Sequence, residues 1–433
     1  MTYRWIILIF GMLAYTTSYF ARSNFQGIAK FVSADFGLDK GAIGLLGSVF
    51  LYSYALSQLP WGIASDRWGS RRAVGIGVLL TGATLWGFAN SSSVNQLLFW
   101  RAANGVAAAA VYVVMAGALA RWFSPKERGF GQSVFAAVGA TAGEGTANLI
   151  VPYLAVNVAS GWRQSTEILA AIIAAVAIAC VVFLRSAPTG QQATERKPFD
   201  WSLAKNAQLW CFILVYSGSI ISIRILPPWL PIYAADIYIS RGMPLARAVI
   251  AAGVLSTLYL AGRIVGVPLI GFISDRLLTK GISRNSLAIG FLLLTAVLFQ
   301  LMPLGIRSTF VLGTIAFLMG ISINMYPLVT TAVSEAFGSQ RTSSVMGFLN
   351  TFAQFSGASA LLVSGYLGIA LSSAPGNALA EYRGIWLVGI VGSAGTALLG
   401  MLLSYIRSRW VEPIPLLAEE GWMRDQKNIA KQP

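Results

Sequence analysis

Apolar runs of roughly twenty residues recur along the entire chain, separated by short polar segments. That length lets a helix cross the hydrocarbon core of a bilayer. A helix also satisfies its own backbone hydrogen bonds where no water is available. Twelve runs are expected as membrane-crossing helices: 5–30, 41–64, 73–91, 95–119, 131–157, 164–185, 207–234, 246–272, 285–304, 309–334, 342–370 and 384–406. The first run is longer than a signal-peptide core, carries Arg22 and has no cleavage site, so it is expected to remain as a helix. Residues 187–206 form the most polar internal stretch and are expected to link an N-terminal six-helix bundle, 1–186, to a second bundle, 207–406. A polar segment, 407–433, follows as a tail.

Composition agrees with lipid as the main solvent. The chain is 56% hydrophobic and 11% charged, with a mean hydropathy of +0.67, whereas soluble domains carry about 25% charged residues. The net charge of +15 invites a nucleic-acid reading, but its distribution opposes one. With the N-terminus inside, twenty of the 31 Lys and Arg fall on the cytoplasmic side and seven outside, and four lie within apolar runs. This bias predicts a multi-pass protein of the bacterial inner membrane with both termini cytoplasmic. There is no histidine, and Cys180 and Cys211 fall in or near apolar runs as small hydrophobes. No metal, cofactor or His-based catalytic centre is expected, and no nucleotide-binding loop is present, so an enzyme is disfavoured.

The two halves repeat. Gly62-Ile-Ala-Ser-Asp66-Arg67 closes the second run, and Gly271-Phe-Ile-Ser-Asp275-Arg276 closes the eighth. Arg22 precedes Ala34-Asp35, and Arg224 precedes Ala235-Asp236 at nearly the same spacing. Parallel repeats of this kind generate a pseudo-two-fold axis along the membrane normal, with the binding site on it. The segment from Gly62 to Arg72 resembles the loop between helices 2 and 3 of the major facilitator superfamily, and 271–284 resembles its partner between helices 8 and 9. Arg101-Ala-Ala-Asn-Gly105 resembles the family's helix-4 motif. The resemblance covers the whole chain. It implies an all-α membrane protein of twelve transmembrane helices in two pseudo-symmetric six-helix bundles, working as a transporter.

A narrower resemblance concerns helices 1 and 7. Tyr19-Phe-Ala-Arg22-Ser-Asn24-Phe25 resembles a pattern of organophosphate:phosphate antiporters, and is also similar to one of anion:cation symporters. Trp229-Leu-Pro231-Ile-Tyr233 resembles the segment after the antiporters' second arginine. Two positions depart. The antiporters' helix-5 histidine is matched by Gly139, and the symporters' aspartate before the helix-1 arginine is matched by Ala21.

Arginine within an apolar helix is costly and faces a protein interior or a wet cavity. Its planar fork binds carboxylate or phosphate through two parallel hydrogen bonds. On helix 1, Tyr15, Tyr19, Arg22 and Gln26 form one stripe. Arg22 and its repeat mate Arg224 are the expected anion clamp. Arg224 precedes Pro227, Pro228 and Pro231, which are expected to break helix 7 and free carbonyls near the cavity. Arg263 sits near mid-membrane, about 18 Å of helix before Asp275, and shares a face with Tyr259; its rival role is a structural ion pair. Asn350 and Gln354, one turn apart, are candidates for substrate hydroxyls.

Glu144 is the one acid deep in an apolar run. Such a carboxylate can take up a proton in one conformation and release it in another. Glu144 is the expected proton-coupling group, against the alternative of a fixed salt bridge to Arg101 or Arg22. Arg101 is assigned to structure or coupling rather than to substrate contact. Asp66, Arg67 and Arg71, with Asp275 and Arg276, are expected to latch the halves at the cytoplasmic face.

These residues point to a secondary transporter that moves a small organic anion, a carboxylate or phosphorylated metabolite, by alternating access with proton symport. The expected partners are that anion, a proton or counter-anion, and the lipid bilayer, for a monomer that binds no nucleic acid. The alternatives are an anion:phosphate antiporter, a multidrug efflux pump and a non-transporting sugar-phosphate sensor.

Overall fold

The computed structural model describes residues 3–123, 127–185, 205–306, 308–337, 339–372 and 378–410. The expected linker and tail therefore lie largely outside the described residues. The chain is nearly all helix. The first group comprises α1 (Tyr3–Phe36), α2 (Lys40–Trp68), α3 (Ser70–Ala89), α4 (Val94–Trp122), α5 (Arg128–Asn157) and α6 (Trp162–Phe183). The second comprises α7 (Ala207–Ser240), α8 (Leu245–Leu278), α9 (Arg284–Leu301), α10 (Thr309–Ile323), α11 (Tyr326–Phe337), α12 (Ser339–Ala370) and α13 (Tyr382–Trp410). With α10 and α11 taken as one crossing, twelve helical segments among the described residues are long and apolar enough to span a membrane.

Local sequence sets the helix ends. Asp39 caps α2 by accepting from the Ala42 amide at 2.7 Å, and Ser93, Ser283 and Ser308 cap α4, α9 and α10 in the same manner. These side chains satisfy amides that have no partner within the helix. Gly69, at φ 80°, supplies the left-handed turn between α2 and α3. The tenth expected span is interrupted at Asn324 and Met325, which divide α10 from α11. Most helices outrun their expected spans at the polar ends, as α1 does by continuing to Phe36.

One expectation fails on α7. Its three prolines lie inside a continuous 34-residue helix rather than breaking it. α7 is buried on nearly every side, from Leu209 to Ile237. A break there would strand several more amides and carbonyls away from water, which costs more than the one donor each proline removes. The helix survives, while the carbonyls of Ile223, Arg224 and Pro227 each lose the donor four residues ahead.

Within the first group α1 packs along α5, α2 along α4, and α3 along α4 and α6. Within the second, α7 packs on α12 and α13, and α8 on α10. The groups meet where α2 lies against α12, α5 against α8, and α1 against α7. Both ends of this helical array, the start of α1 and the end of α13, lie on one face, here the terminal face.

Candidate functional site

A cavity of about 450 Å³ lies between the two groups. Close helix crossings shape its first wall. A side chain at Gly143 on α5 would place its Cβ 2.5 Å from the Thr16 carbonyl of α1, so glycine lets these backbones touch. That contact sets Tyr15, Tyr19 and Arg22 of α1 beside Glu144 of α5. At Gly139, the counterpart of the antiporters' histidine, a Cβ would lie 2.7 Å from the Tyr15 ring. Tyr15 thus occupies the space a larger residue would need.

Most expected binding residues share this cavity. Arg22, Tyr15, Tyr19 and Gln26 line it from α1, Arg224 from α7 and Arg263 from α8. Asn350 and Gln354 line it from α12, and Glu144 from α5. The Arg22 guanidinium lies 5.1 Å from the Tyr19 ring centroid. Arg224 Nη2 donates to Gln354 Oε1 at 2.7 Å, and Gln354 Nε2 donates to Asn350 Oδ1 at 3.2 Å. Among the described residues no carboxylate lies within 4 Å of Arg22 or Arg224. Tyr259 is buried in the helix packing and is not on the cavity wall.

Glu144 makes the ion pair named as its alternative role, but with Arg263 rather than with Arg101 or Arg22. Its Oε2 accepts from Arg263 Nη1 at 3.3 Å, across the boundary between the two groups. Arg101 instead packs its guanidinium against the rings of Phe25 and Phe50, 5.0 and 4.7 Å from their centroids. Asn104, one turn along, donates to the Thr81 carbonyl and the Thr84 hydroxyl within the first group. The reason is helix packing: α5 lies against α8, which brings residues 119 apart in sequence together.

Sequence reasoning missed part of the wall. Tyr54 and Gln58 of α2, Tyr112 of α4 and Tyr216 of α7 complete a tyrosine-rich lining. Tyr54 and Gln58, a turn apart on an apolar helix, carried the same polar-stripe signal as Tyr15 and Tyr19.

The charges that join the groups also lie elsewhere than expected. Asp66, Arg67 and Arg276 are exposed on the terminal face. Arg71 donates to the Val181 carbonyl within the first group, and Asp275 pairs with Arg284 within the second. In this conformation none of the five bridges the groups among the described residues. On the opposite face, Lys30 Nζ lies 2.5 Å from Asp236 Oδ1, and Lys40 Nζ lies 2.8 Å from Glu381 Oε2 and 3.9 Å from Asp236 Oδ2. The Tyr382 hydroxyl donates to Asp236 at 2.8 Å, and Lys40 also bonds the Ala378 carbonyl. This layer lies across the opposite face, and the cavity lining extends the other way, to Gln58, Tyr112, Thr330 and Met346 toward the terminal face. The spacing held the signal: Arg22, Gln26 and Lys30 recur every four residues on α1, and Asp236 lies twelve beyond Arg224.

The family model described as Major Facilitator Superfamily matches residues 11–361. A probable hexose phosphate transport protein of Chlamydia pneumoniae is 28% identical over 42% of this chain and 40% of its own. A probable sulfoacetate transporter, SauU of Cupriavidus necator, is 26% identical over 63% and 65%. The matched segments thus span less than two thirds of either relative. The membrane sensor protein UhpC of Salmonella typhimurium is 27% identical over 88% of this chain and 85% of its own. Among solved structures, a bacterial homologue of the human lysosomal transporter Spinster, inward-facing and occupied, superposes with a TM-score of 0.78 at 16% identity, over 94% of this chain and 97% of that one. It shares the fold.

Proposed function

The chain belongs to the Major Facilitator Superfamily, a family of transporters rather than enzymes, and on that premise we propose that it is a secondary carrier of a small organic anion, carboxylated or phosphorylated. The observation that carries this reading is the placement of Arg22 and Arg224 on one cavity with no carboxylate within 4 Å of either. With Arg263 held by Glu144, the cavity keeps two uncompensated positive charges. Such a cavity attracts anions and repels cations, which opposes the efflux of cationic drugs. Relatives described as transporting hexose phosphate and sulfoacetate, both anions, support the same class.

The cycle is alternating access in the inner membrane, with both termini cytoplasmic as the charge bias argues. The layer of Lys30, Lys40, Asp236 and Glu381 seals the outer side while the cavity faces inward. Glu144 carries the coupling proton, and once that proton has left, its carboxylate pairs with Arg263. The N-terminal bundle 1–186 and the C-terminal bundle 207–406 are the moving bodies. The protein works as a monomer.

The test is uptake of labelled sugar phosphates and small dicarboxylates into liposomes holding the purified protein. The wild type should accumulate at least one, and Arg22→Gln and Arg224→Gln should each abolish accumulation. If the wild type moves none and binds none, the reading fails. A second reading is a sensor, favoured by the likeness to a membrane sensor over 88% of the chain. Anion binding lost in both mutants, with no flux in the wild type, would select it.

A further inference from the structure

Arg101 is 4% exposed and has no carboxylate within 4 Å among the described residues. Its Nε reaches the Leu46 carbonyl at 3.4 Å, and two phenylalanine rings face its guanidinium. Ring faces lower the cost of a buried cation but bring no net negative charge. A charge left in such surroundings without a counter-charge is costly.

Arg101 also lines a second, smaller cavity. It measures about 30 Å³ and adjoins the main one, on the side of the sealed face. Arg22 and Arg224 also line it, with Gln26. Arg224 is 6% exposed, and its Nε is buried without a partner. The remaining wall is largely apolar, from Phe25, Phe50, Trp229 and Leu361 among others. Three arginines, none with a carboxylate within 4 Å among the described residues, therefore line one largely apolar space. An anion among them offsets the repulsion between their like charges.

Size selects the anion. One water needs about 10–15 Å³ of such space, so 30 Å³ admits one or two groups of that size. A sugar phosphate or dicarboxylate does not fit. We propose that Arg101, Arg22 and Arg224 form a site for a single halide-sized anion, chloride being the abundant one, beside the cargo cavity. Guanidinium N–H groups from three helices supply its donors, and the aromatic wall excludes water. Because Arg22 and Arg224 serve both cavities, halide and cargo occupancy are linked, each changing the other's affinity by the same factor. The inference stands on this geometry whether or not the cargo is an organic anion.

The purified protein, without cargo, is unfolded thermally in sodium chloride and in the sodium salt of HEPES, a bulky sulfonate, at equal ionic strength, so that screening is matched. Chloride should raise the midpoint by about 2 °C or more, in a concentration-dependent manner, and bromide should do the same. Arg101→Gln should remove the chloride-specific rise. Equal midpoints in the two salts, or an undiminished rise in Arg101→Gln, would overturn the site. Should that variant fail to fold, wild-type crystals soaked in bromide decide the matter. An anomalous peak among Arg22, Arg101 and Arg224 is expected, and peaks only elsewhere would overturn the proposal.

Discussion

Arg22 and Arg224 are repeat mates held by different means. Arg22 leans on the Tyr19 ring, which leaves its donors to the cavity, whereas Arg224 is oriented by Gln354, itself tethered to Asn350. A hydrogen bond to a charged group contributes about 1.5–3 kcal/mol, so Gln354→Ala should weaken cargo binding roughly tenfold through loss of orientation. Arg22→Lys keeps the charge but loses the planar fork, and a reduction of about tenfold or more in affinity is expected. Titration calorimetry with the transported anion measures both. Glu144→Gln keeps the shape of the side chain and removes its proton chemistry. Uptake driven by an imposed proton gradient should fall to the level seen without one. A response equal to that of the wild type would remove Glu144 from coupling.

At the scale of helices, the site depends on how closely pairs of backbones approach. α1 and α5 touch at Gly143, and α2 and α4 touch at Gly105, where an added Cβ would lie 2.3 Å from the Phe50 carbonyl. Overpacking of this kind typically costs about 1–3 kcal/mol. Gly143→Val should therefore lower the thermal midpoint and displace Tyr15 and Tyr19 from the cavity wall, so that stability and anion affinity fall together. Retention of full affinity in a destabilised Gly143→Val would show that the α1–α5 contact does not set the site. The continuity of α7 has a related cause. Its prolines were legible as residues that remove donors, but the helix persists because packing around it leaves a break nowhere to find hydrogen bonds.

For the molecule as a whole, the closed layer opposite the terminal face is the main link of charge between the groups. Asp236 is buried and answers two lysines and a tyrosine hydroxyl. Removing one partner of a buried ion pair is destabilising by about 3–5 kcal/mol, because the other charge is left uncompensated. Here the uncompensated lysines gain water when the face opens. Asp236→Asn should therefore shift the population toward the outward-open state. Spin labels at the outer ends of α2 and α12 should report longer distances in the mutant, and an unchanged distribution would deny the layer a gating role.

The chain alone reveals its membrane-spanning helices, their number, the internal repeat and the family, because each is a local or periodic property of apolar runs and short motifs. It also placed Arg22 and Arg224 in equivalent positions, since repeat symmetry is written along the chain. Which charges meet was settled by the packing of the helices. Glu144 pairs with Arg263 rather than with Arg101 or Arg22, and Lys30 and Lys40, countable only as outer charges, meet Asp236 and Glu381. Ion pairing follows from which helix faces touch, and residues more than a hundred apart along the chain carry no local sign of that. Arg101 shows the same division. Its presence in a helix-4 motif was evident, but its lack of a counter-charge emerged only once the surrounding helices were in place.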